Sequence, residues 1–310
     1  MLQIRTILVP TDRSACAERA YAPAADLAAH TGARVHVVHV SEFGHNPDDD
    51  AMAVSWDDVA ADLRLPAGQV PPSGPVQIEE VQTILPAARA LLGYAHDHDA
   101  DLIVMGTSGR RGLARMVLGS VAEEVVRTAS RPVLCVPCHD APRGGPVVVP
   151  VDFFEGSHEA LSHAKALAAA RGAALHVFHV VEWPASPPPY LASLRFPHID
   201  EILRSAQEEL DRFVAGTPGP DVPTTAYVQA GGFVGRSVVE YAGAVGASLL
   251  VTATHSRAGF DRLTMGSVTE SVLRTAPCPV LTLHPGDRGL LADADEPPTE
   301  VAEALPVPVA

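Results

Sequence analysis

"ILVPTDRSACAERAYAPAADLAAHTGARVHVVHVSE", residues 7–42, has a second version in "VVVPVDFFEGSHEALSHAKALAAARGAALHVFHVVE", residues 147–182. The two align without a gap at an offset of 140, with Pro10 on Pro150, Asp12 on Asp152, Gly32 on Gly172 and His39-Val40 on His179-Val180. Farther on, "GLARMVLGSVAEEVVRTASRPVL" (112–134) lies over "GFDRLTMGSVTESVLRTAPCPVL" (259–281) at an offset of 147. Shared composition gives scattered matches, not matches in this order. The chain therefore reads as two tandem copies of a unit of about 145 residues.

Each copy alternates strand and helix. In the first, Ile7–Val9 is a short apolar run ended by Pro10, and residues 15–31 form an alanine-rich helical stretch stopped by Gly32. "RVHVVHV" (34–40) is β-branched and strand-like, and "EEVQT" (79–83) is a weaker strand followed by a helix around 86–98. "DLIVMG" (101–106) is a buried strand, "SVAEEVVRTA" (120–129) a helix and "PVLCV" (132–136) the last strand. Strands separated by helices imply a parallel sheet covered on both faces. The expected fold class is α/β: two tandem copies of an open, five-stranded parallel sheet, order 3-2-1-4-5, with helices on both faces. The expected domains are 1–142, 143–286, and an acidic, proline-rich tail over 287–310 whose composition reads as disordered. The proline-rich segments 43–75 and 184–222 read as surface insertions with helices at 56–63 and 199–214.

Composition narrows the function. A formal charge of −15 argues against nucleic acid and anionic lipid as partners. No run of 18 apolar residues offers a membrane span. "MLQIRTILVPTDRS" is not a signal peptide by pattern, because Pro10 and Asp12 end its apolar run too soon. Four cysteines in 310 residues do not make a disulfide framework, and reduced thiols suit a cytoplasmic location. Cys135-Val-Pro-Cys138 closes a strand rather than opening a helix, and the other copy has Thr282 and Pro285 there, so redox or zinc chemistry is set aside. His36 and His39, at i and i+3 on a strand, point to opposite faces and share no metal. His96 and His98 read as a solvated helix end. No catalytic triad or carboxylate pair can be assembled.

The chemistry concentrates in "GTSGRRGLARMVLGSVAEE" (106–124). In an open parallel sheet a ligand sits beyond the carboxyl ends of the strands where the strand order reverses. With the order 3-2-1-4-5 this stretch and the "PTD" of 10–12 share that place. Asp12 is suited to a ribose hydroxyl, the glycines to close backbone approach, and Ser120 to an anion at a helix start. The structural alternative is plain. Ser120-x-x-Glu123 and Ser267-x-x-Glu270 are capping boxes, Gly106 ends a strand, and Asp12 caps a helix. The stretch is not a Walker loop, since Lys165 is the only lysine.

Gly106-x2-Gly109-x9-Gly119-Ser120, together with "ILVPTD", "HVVHV", "ADLIVMGT" and "RPVLCVP", resembles the nucleotide motif and the first, second, fourth and fifth strands of the universal stress protein family. The resemblance covers both repeats and points to the ATP-binding branch. It implies ATP, with Mg2+ as an optional companion, held by Pro10, Thr11, Asp12, Val40, Met105, Gly106, Gly109, Gly119, Ser120 and Val121; Arg110 is added as a phosphate neighbour by its charge alone, not by the resemblance. A weaker second site would use Asp152, Val180, Gly266, Ser267 and Val268. Glycine reaches positive φ cheaply, so Ala253 and Ser256, in place of Gly106 and Gly109, mark the second site as the poorer one. The family often has glycine after the third strand. The second copy keeps Gly231-Gly232, whereas the first has Ile84-Leu85.

The function expected is binding and signalling in stress response rather than catalysis. Its rivals are a slow ATPase or phosphotransferase, and a nucleotide-free interaction module. The near-identical last strands, 132–136 and 279–283, are expected to pair within the chain as a pseudo-dimer, with homodimerisation left open.

Overall fold

The computed structural model describes residues 2–42, 76–109, 118–183, 199–254, 265–284 and 289–292. The first copy runs β1 (Thr6–Thr11), α1 (Ala15–Glu18), α2 (Tyr21–Thr31), β2 (Arg34–Glu42), β3 (Val76–Thr83), α3 (Ala87–Asp97), β4 (Leu102–Gly106), α4 (Ser120–Thr128) and β5 (Val133–Val136). The second runs β6 (Val147–Pro150), α5 (Glu155–Arg171), β7 (Leu175–Glu182), α6 (Ile199–Gly216), β8 (Thr224–Gly231), α7 (Val234–Ala244), β9 (Leu249–Ala253), α8 (Ser267–Thr275) and β10 (Val280–Leu283). Together they form a ten-stranded sheet, order β3-β2-β1-β4-β5-β10-β9-β6-β7-β8. Each half is parallel in the order 3-2-1-4-5. The halves join where β5 and β10 pair antiparallel, with Leu281 opposite Leu134. Thr282 adds a side-chain bond across the joint, its Oγ1 donating to the Val133 carbonyl at 3.1 Å.

Strand residues alternate between two apolar layers, as the pleat requires. Ile7, Val9, Val35, Val37, Leu102 and Val104 face α2, and their counterparts in the second copy face α5 and α6. Leu8, Val38, Ile103 and Met105 face α3 and α4, with α7 and α8 continuing that layer. Both layers run unbroken across the joint. Gly32 at φ 74° and Gly172 at φ 60° end α2 and α5 in the left-handed conformation that glycine adopts without strain. At the start of β1, the buried Asp101 carboxylate accepts from the N–H groups of Arg5 (2.7 Å) and Thr6 (3.0 Å), which fixes the start of β4 against β1.

One consequence of this register governs the ligand end of the sheet. Strand β1 pairs with β4 only at Ile7↔Leu102 and Leu8↔Ile103. Thr6 turns its N–H and C=O toward the β4 side, to Asp101, so by alternation Leu8 and Pro10 face that side too. Proline has no N–H, so the next ladder bond cannot form. The second copy does the same. Pro146 accepts from Ser248 on the β9 side, β6 pairs β9 only through Val147 and Val148, and Pro150 follows. In each copy a proline ends the ladder where the crevice opens.

Several sequence expectations are corrected. The stretch 15–31 is not one helix, since α1 is a single turn that stops before α2 begins. Residues 199–216 are not part of a surface insertion. They form the crossover helix between β7 and β8, with Leu210 and Phe213 buried. The expected helix at 56–63 lies outside the described residues. His96 and His98 do form an exposed helix end, and the His98 ring also stacks on Tyr94 at 3.9 Å. Strand pairing sets Glu42 opposite Thr83 and Glu182 opposite Gly231, so the first-copy counterpart of Gly231 is Thr83, not Ile84. Two cysteines are not reduced thiols: Cys16 and Cys138 form a disulfide.

The tail does not begin at 287 either. Residues 289–292 dock on the body, with Leu2 bridging Leu291 and the Gln3 N–H donating to the Leu290 carbonyl at 2.7 Å. Leu290 is 1% exposed, packed in the layer shared by both copies. Its N–H donates to Nε2 of His163 (2.9 Å), while the Nδ1 of the same ring bonds the Glu159 carbonyl (2.8 Å). This geometry needs a neutral imidazole, and burial holds the His163 pKa below its ordinary value of 6.5.

Two predictions test this strap. Leu290→Ala should cost about 2 kcal/mol or more of stability, where an undocked tail would give no change in denaturant titration. A histidine with a depressed folded pKa stabilises fully above its unfolded pKa and loses that stabilisation as pH falls below it. The protection factor of the Leu290 amide, its intrinsic rate divided by its observed rate at each pH, should therefore be high at pH 7.5 and fall as pH drops below about 6.5. His163→Gln, which keeps an acceptor at every pH, should flatten that dependence.

Candidate functional site

Three separate segments meet at the splayed end of β1 in the first copy. The first follows β1. Thr11 is buried and its hydroxyl accepts from the Tyr21 hydroxyl (3.0 Å) and the Arg13 N–H (3.0 Å). Arg13 sits at φ 61°, and its counterpart Phe153 at φ 66°. Left-handed backbone at non-glycine residues is uncommon and is held only where the surroundings demand it. The turn leaves one Asp12 oxygen on the Ser14 N–H (3.0 Å) and brings the other beside Gly109. Ser14 then caps α1, its Oγ accepting from the Ala17 N–H at 3.2 Å.

The second segment follows β4. A Cβ on Gly106 would lie 2.7 Å from the Cys16 carbonyl oxygen, so the one-turn helix α1 rests directly on the end of β4. A Cβ on Gly109 would lie 2.5 Å from Asp12 Oδ2. The third segment begins α4. The Gly119 N–H donates to the Thr107 carbonyl (2.8 Å), and a Cβ there would stand 3.3 Å from Ser108 Cα and 3.6 Å from the Gly109 nitrogen. Asp12, Gly109 and Gly119 are thus stacked in a cradle that extra side-chain atoms would fill. None of Gly106, Gly109 and Gly119 has a positive φ. Of the two sequence arguments for these glycines, close approach holds, and positive φ, invoked for Gly106 and Gly109, does not.

Around the cradle the other sequence candidates fall into place by element. Thr11 pairs with His39 across β1 and β2, and one residue farther stand Asp12 and Val40. Val40, Met105 and Val121 belong to one apolar layer, on the face covered by α3 and α4. Ser120 is exposed, the first residue of α4 rather than its cap. The cap is Gly119, with no side-chain cap bond, and Gly266 serves α8 in the same way. Both capping boxes read from Ser120 and Ser267 are therefore absent. Arg110 lies outside the described residues, as does Ser256.

The second copy is built differently at the same address. Asp152 Oδ1 accepts from its own loop, from Ser157 Oγ at 2.7 Å and from the Phe154 N–H at 3.2 Å. Ala253 stands where the first copy has Gly106. Its Cβ leaves no room for the approach that Cys16 makes, and the aligned position of Cys16 is Gly156, within an unbroken 17-residue helix. The small residue has changed sides between the copies. Phe153 fills part of the loop, packed on His179 (4.3 Å) and Phe213 (5.6 Å). Val180 touches Gly231, while Gly266, Ser267 and Val268 keep the helix-start arrangement of their first-copy counterparts.

Sequence reasoning missed Ser14, Tyr21, Thr107 and Ser108. Ser14, three residues before Ala17, was a readable helix start. The Tyr21 hydroxyl behind Thr11 and the Thr107 carbonyl under Gly119 depend on tertiary packing and left no local signal. The two histidines read as incompatible do diverge: His36 Nδ1 bonds the Tyr94 hydroxyl (2.9 Å) and His39 Nδ1 the Thr11 carbonyl (2.8 Å). Among the described residues no helix is long and apolar enough to cross a membrane.

Comparison with known proteins agrees with this architecture. The profile of the universal stress protein family matches residues 3–137 and 145–284. A universal stress protein of Mycobacterium tuberculosis H37Rv is 33% identical over 190 residues, which is 59% of this chain and 62% of that protein's length. One from Methanocaldococcus jannaschii is 34% identical over 143 residues, 43% of this chain and 81% of its own. The solved structure of a universal stress protein from Archaeoglobus fulgidus superposes with a TM-score of 0.63 at 20% identity, over 91% of this chain and 97% of that one. Two family matches in tandem, over two copies of the same five-stranded half, make this chain a member of the universal stress protein family.

Proposed function

We propose that the first copy binds an adenine nucleotide, ATP in the first instance, and that the protein acts by binding rather than by turnover. The observation that carries the reading is the cradle formed by Asp12, Gly109 and Gly119 beside the splayed ends of β1 and β4. Its chemistry suits the three parts of such a ligand. The apolar side chains of Val40, Met105 and Val121 offer a surface for a base. Asp12 is the acceptor a ribose hydroxyl needs. The backbone at Gly109 and at the start of α4, with the Ser120 hydroxyl, suits phosphate oxygens. Pro10 and Thr11 set the position of Asp12. Any Mg2+ would travel with the phosphates. No described group stands out as a general base beside the cradle, and Lys165, which donates to the Val214 and Thr217 carbonyls, belongs to the other copy. This favours binding over an ATPase or phosphotransferase role.

The second copy is the weaker site in this reading. Its Asp152 already accepts from Ser157 and Phe154, so a ribose would have to displace intramolecular bonds. Gly266, Ser267 and Val268 still suit a loosely held ligand.

Calorimetric titration with Mg-ATP tests the assignment. Asp12→Ala should weaken the tight site at least tenfold, the scale of one charge-assisted hydrogen bond. Gly109→Ala should weaken it by roughly tenfold or more, about 1.4 kcal/mol, because its Cβ drives into Asp12. Asp152→Ala should leave that site unchanged. Loss of tight binding in Asp152→Ala with Asp12→Ala intact would move the working site to the second copy. Absence of heat and of thermal shift in the wild type would favour the nucleotide-free interaction module.

A further inference from the structure

The Cys16–Cys138 disulfide joins two places that the chain separates by 122 residues. Both border the cradle. Cys16 lies in α1, immediately after the Asp12–Ser14 turn, and its carbonyl rests against Gly106. Cys138 lies two residues beyond Val136, the β5 partner of Gly106. The intervening Thr107 is held from the same side: its N–H donates to the Val136 carbonyl (3.0 Å), and its Oγ1 stands 3.6 Å from Cys138 Sγ. One covalent bond therefore ties α1, which follows the Asp12 turn, to the segment after β5, which holds Thr107 at the root of the turn that carries Gly109.

The rest of α1 is lightly held. Four residues are far too few for a helix to be stable alone. Beside the disulfide, its ties include the Ser14 cap, the packing of Cys16 and Ala17 on Gly106, the bond from the Ala20 N–H to the Ala17 carbonyl (3.0 Å), and the exposed Arg19–Asp140 ion pair at 2.8 Å. An exposed pair of this kind contributes little. Cys138 is exposed, so a thiol reagent can reach the bond. The other two cysteines are of a different kind. Cys135 and Cys278 are buried, and burial pushes each thiol up to about 12, which leaves them inert.

We propose that this disulfide is a redox clamp on the nucleotide site: closed, it holds the Asp12 turn against Gly106–Gly109 in binding geometry, and opened, it releases α1 and weakens the site. In the opening step a dithiol reductant supplies two electrons and two protons. Its thiolate attacks one sulfur, the Cys16–Cys138 bond breaks, both cysteines leave as thiols, and the dithiol closes to its own disulfide. A disulfide oxidant reverses the exchange. The second copy has no equivalent, since the positions aligned with Cys16 and Cys138 are Gly156 and Pro285. The clamp's effect on affinity rests on the nucleotide reading above, whereas its effect on α1 does not.

The test uses the full chain, prepared with oxidised glutathione or with dithiothreitol. Alkylation after unfolding should count two thiols in the first preparation and four in the second. Mg-ATP affinity should fall on the order of tenfold on reduction, within the usual range of coupling between sites. Cys16→Ser and Cys138→Ser should each show the weaker value in both preparations. Hydrogen exchange of residues 14–18 and 107–109, measured without nucleotide, should accelerate on reduction. Acceleration without ATP binding in either state would overturn the nucleotide reading and leave the clamp standing. Four alkylatable thiols after oxidation would overturn the clamp, and so would unchanged exchange or equal affinity in the two states.

Discussion

The site depends on a missing hydrogen bond. Strand β1 lies at the centre of its half-sheet, between β2 and β4, where proline is normally excluded. Pro10 is tolerated because its ring faces β4 after only two ladder pairs have formed. The donor it lacks would have made the next bond to β4, so the ladder ends there and the strands part. The gap left between β1 and β4 is the crevice in which the Asp12 turn, the Gly106–Gly109 turn and the start of α4 meet. Pro150 repeats the device in the second half, so both copies inherit a crevice and differ only in what lines it.

That difference is a matter of a few atoms. In the first half, glycine at 106 lets the single-turn helix α1 settle onto the end of β4, and glycine at 109 lets Asp12 come alongside. In the second half, the methyl of Ala253 excludes such an approach, and the helix after β6 runs unbroken. Asp152 then closes a local ring of hydrogen bonds with Ser157. A duplicated unit has thus kept its sheet, its switch point and its helix-start glycine-serine pair, while its aspartate, Asp152, accepts from Ser157 and Phe154. Joining the halves through β5 and β10 makes one ten-stranded sheet and removes two exposed edges that would invite aggregation. The strap at Leu290 ties the beginning of the first copy to α5 of the second.

Much of this was legible in the sequence for identifiable reasons. The repeat was visible because Pro10, Asp12, Gly32 and His39 recur in order, and the strands were visible because they are continuous apolar runs, as buried parallel strands must be. Asp12, Gly109 and Gly119 were read as one site from spacing and resemblance, and the structure brings them together. What the sequence hid was set by tertiary contact. The glycines follow from the approach of Cys16 and Asp12, not from φ. The serine before Glu123 looked like a cap because S-x-x-E has the right spacing, yet Gly119 occupies that position. Leu290 sits in a stretch whose composition says tail, but one leucine over a shared apolar layer suffices to dock it. The Cys16–Cys138 bond has no local signature at all, and it argues against the expectation of wholly reduced thiols.

The central claim is that the first crevice holds an adenine nucleotide tightly enough to matter. The most direct measurement is chemical: purify the protein without added nucleotide, denature it, and identify the released small molecules by mass spectrometry. The account predicts adenine nucleotide at close to one equivalent per chain, lost in Gly109→Ala. Protein that releases none, and whose melting temperature does not move with added Mg-ATP, would contradict it.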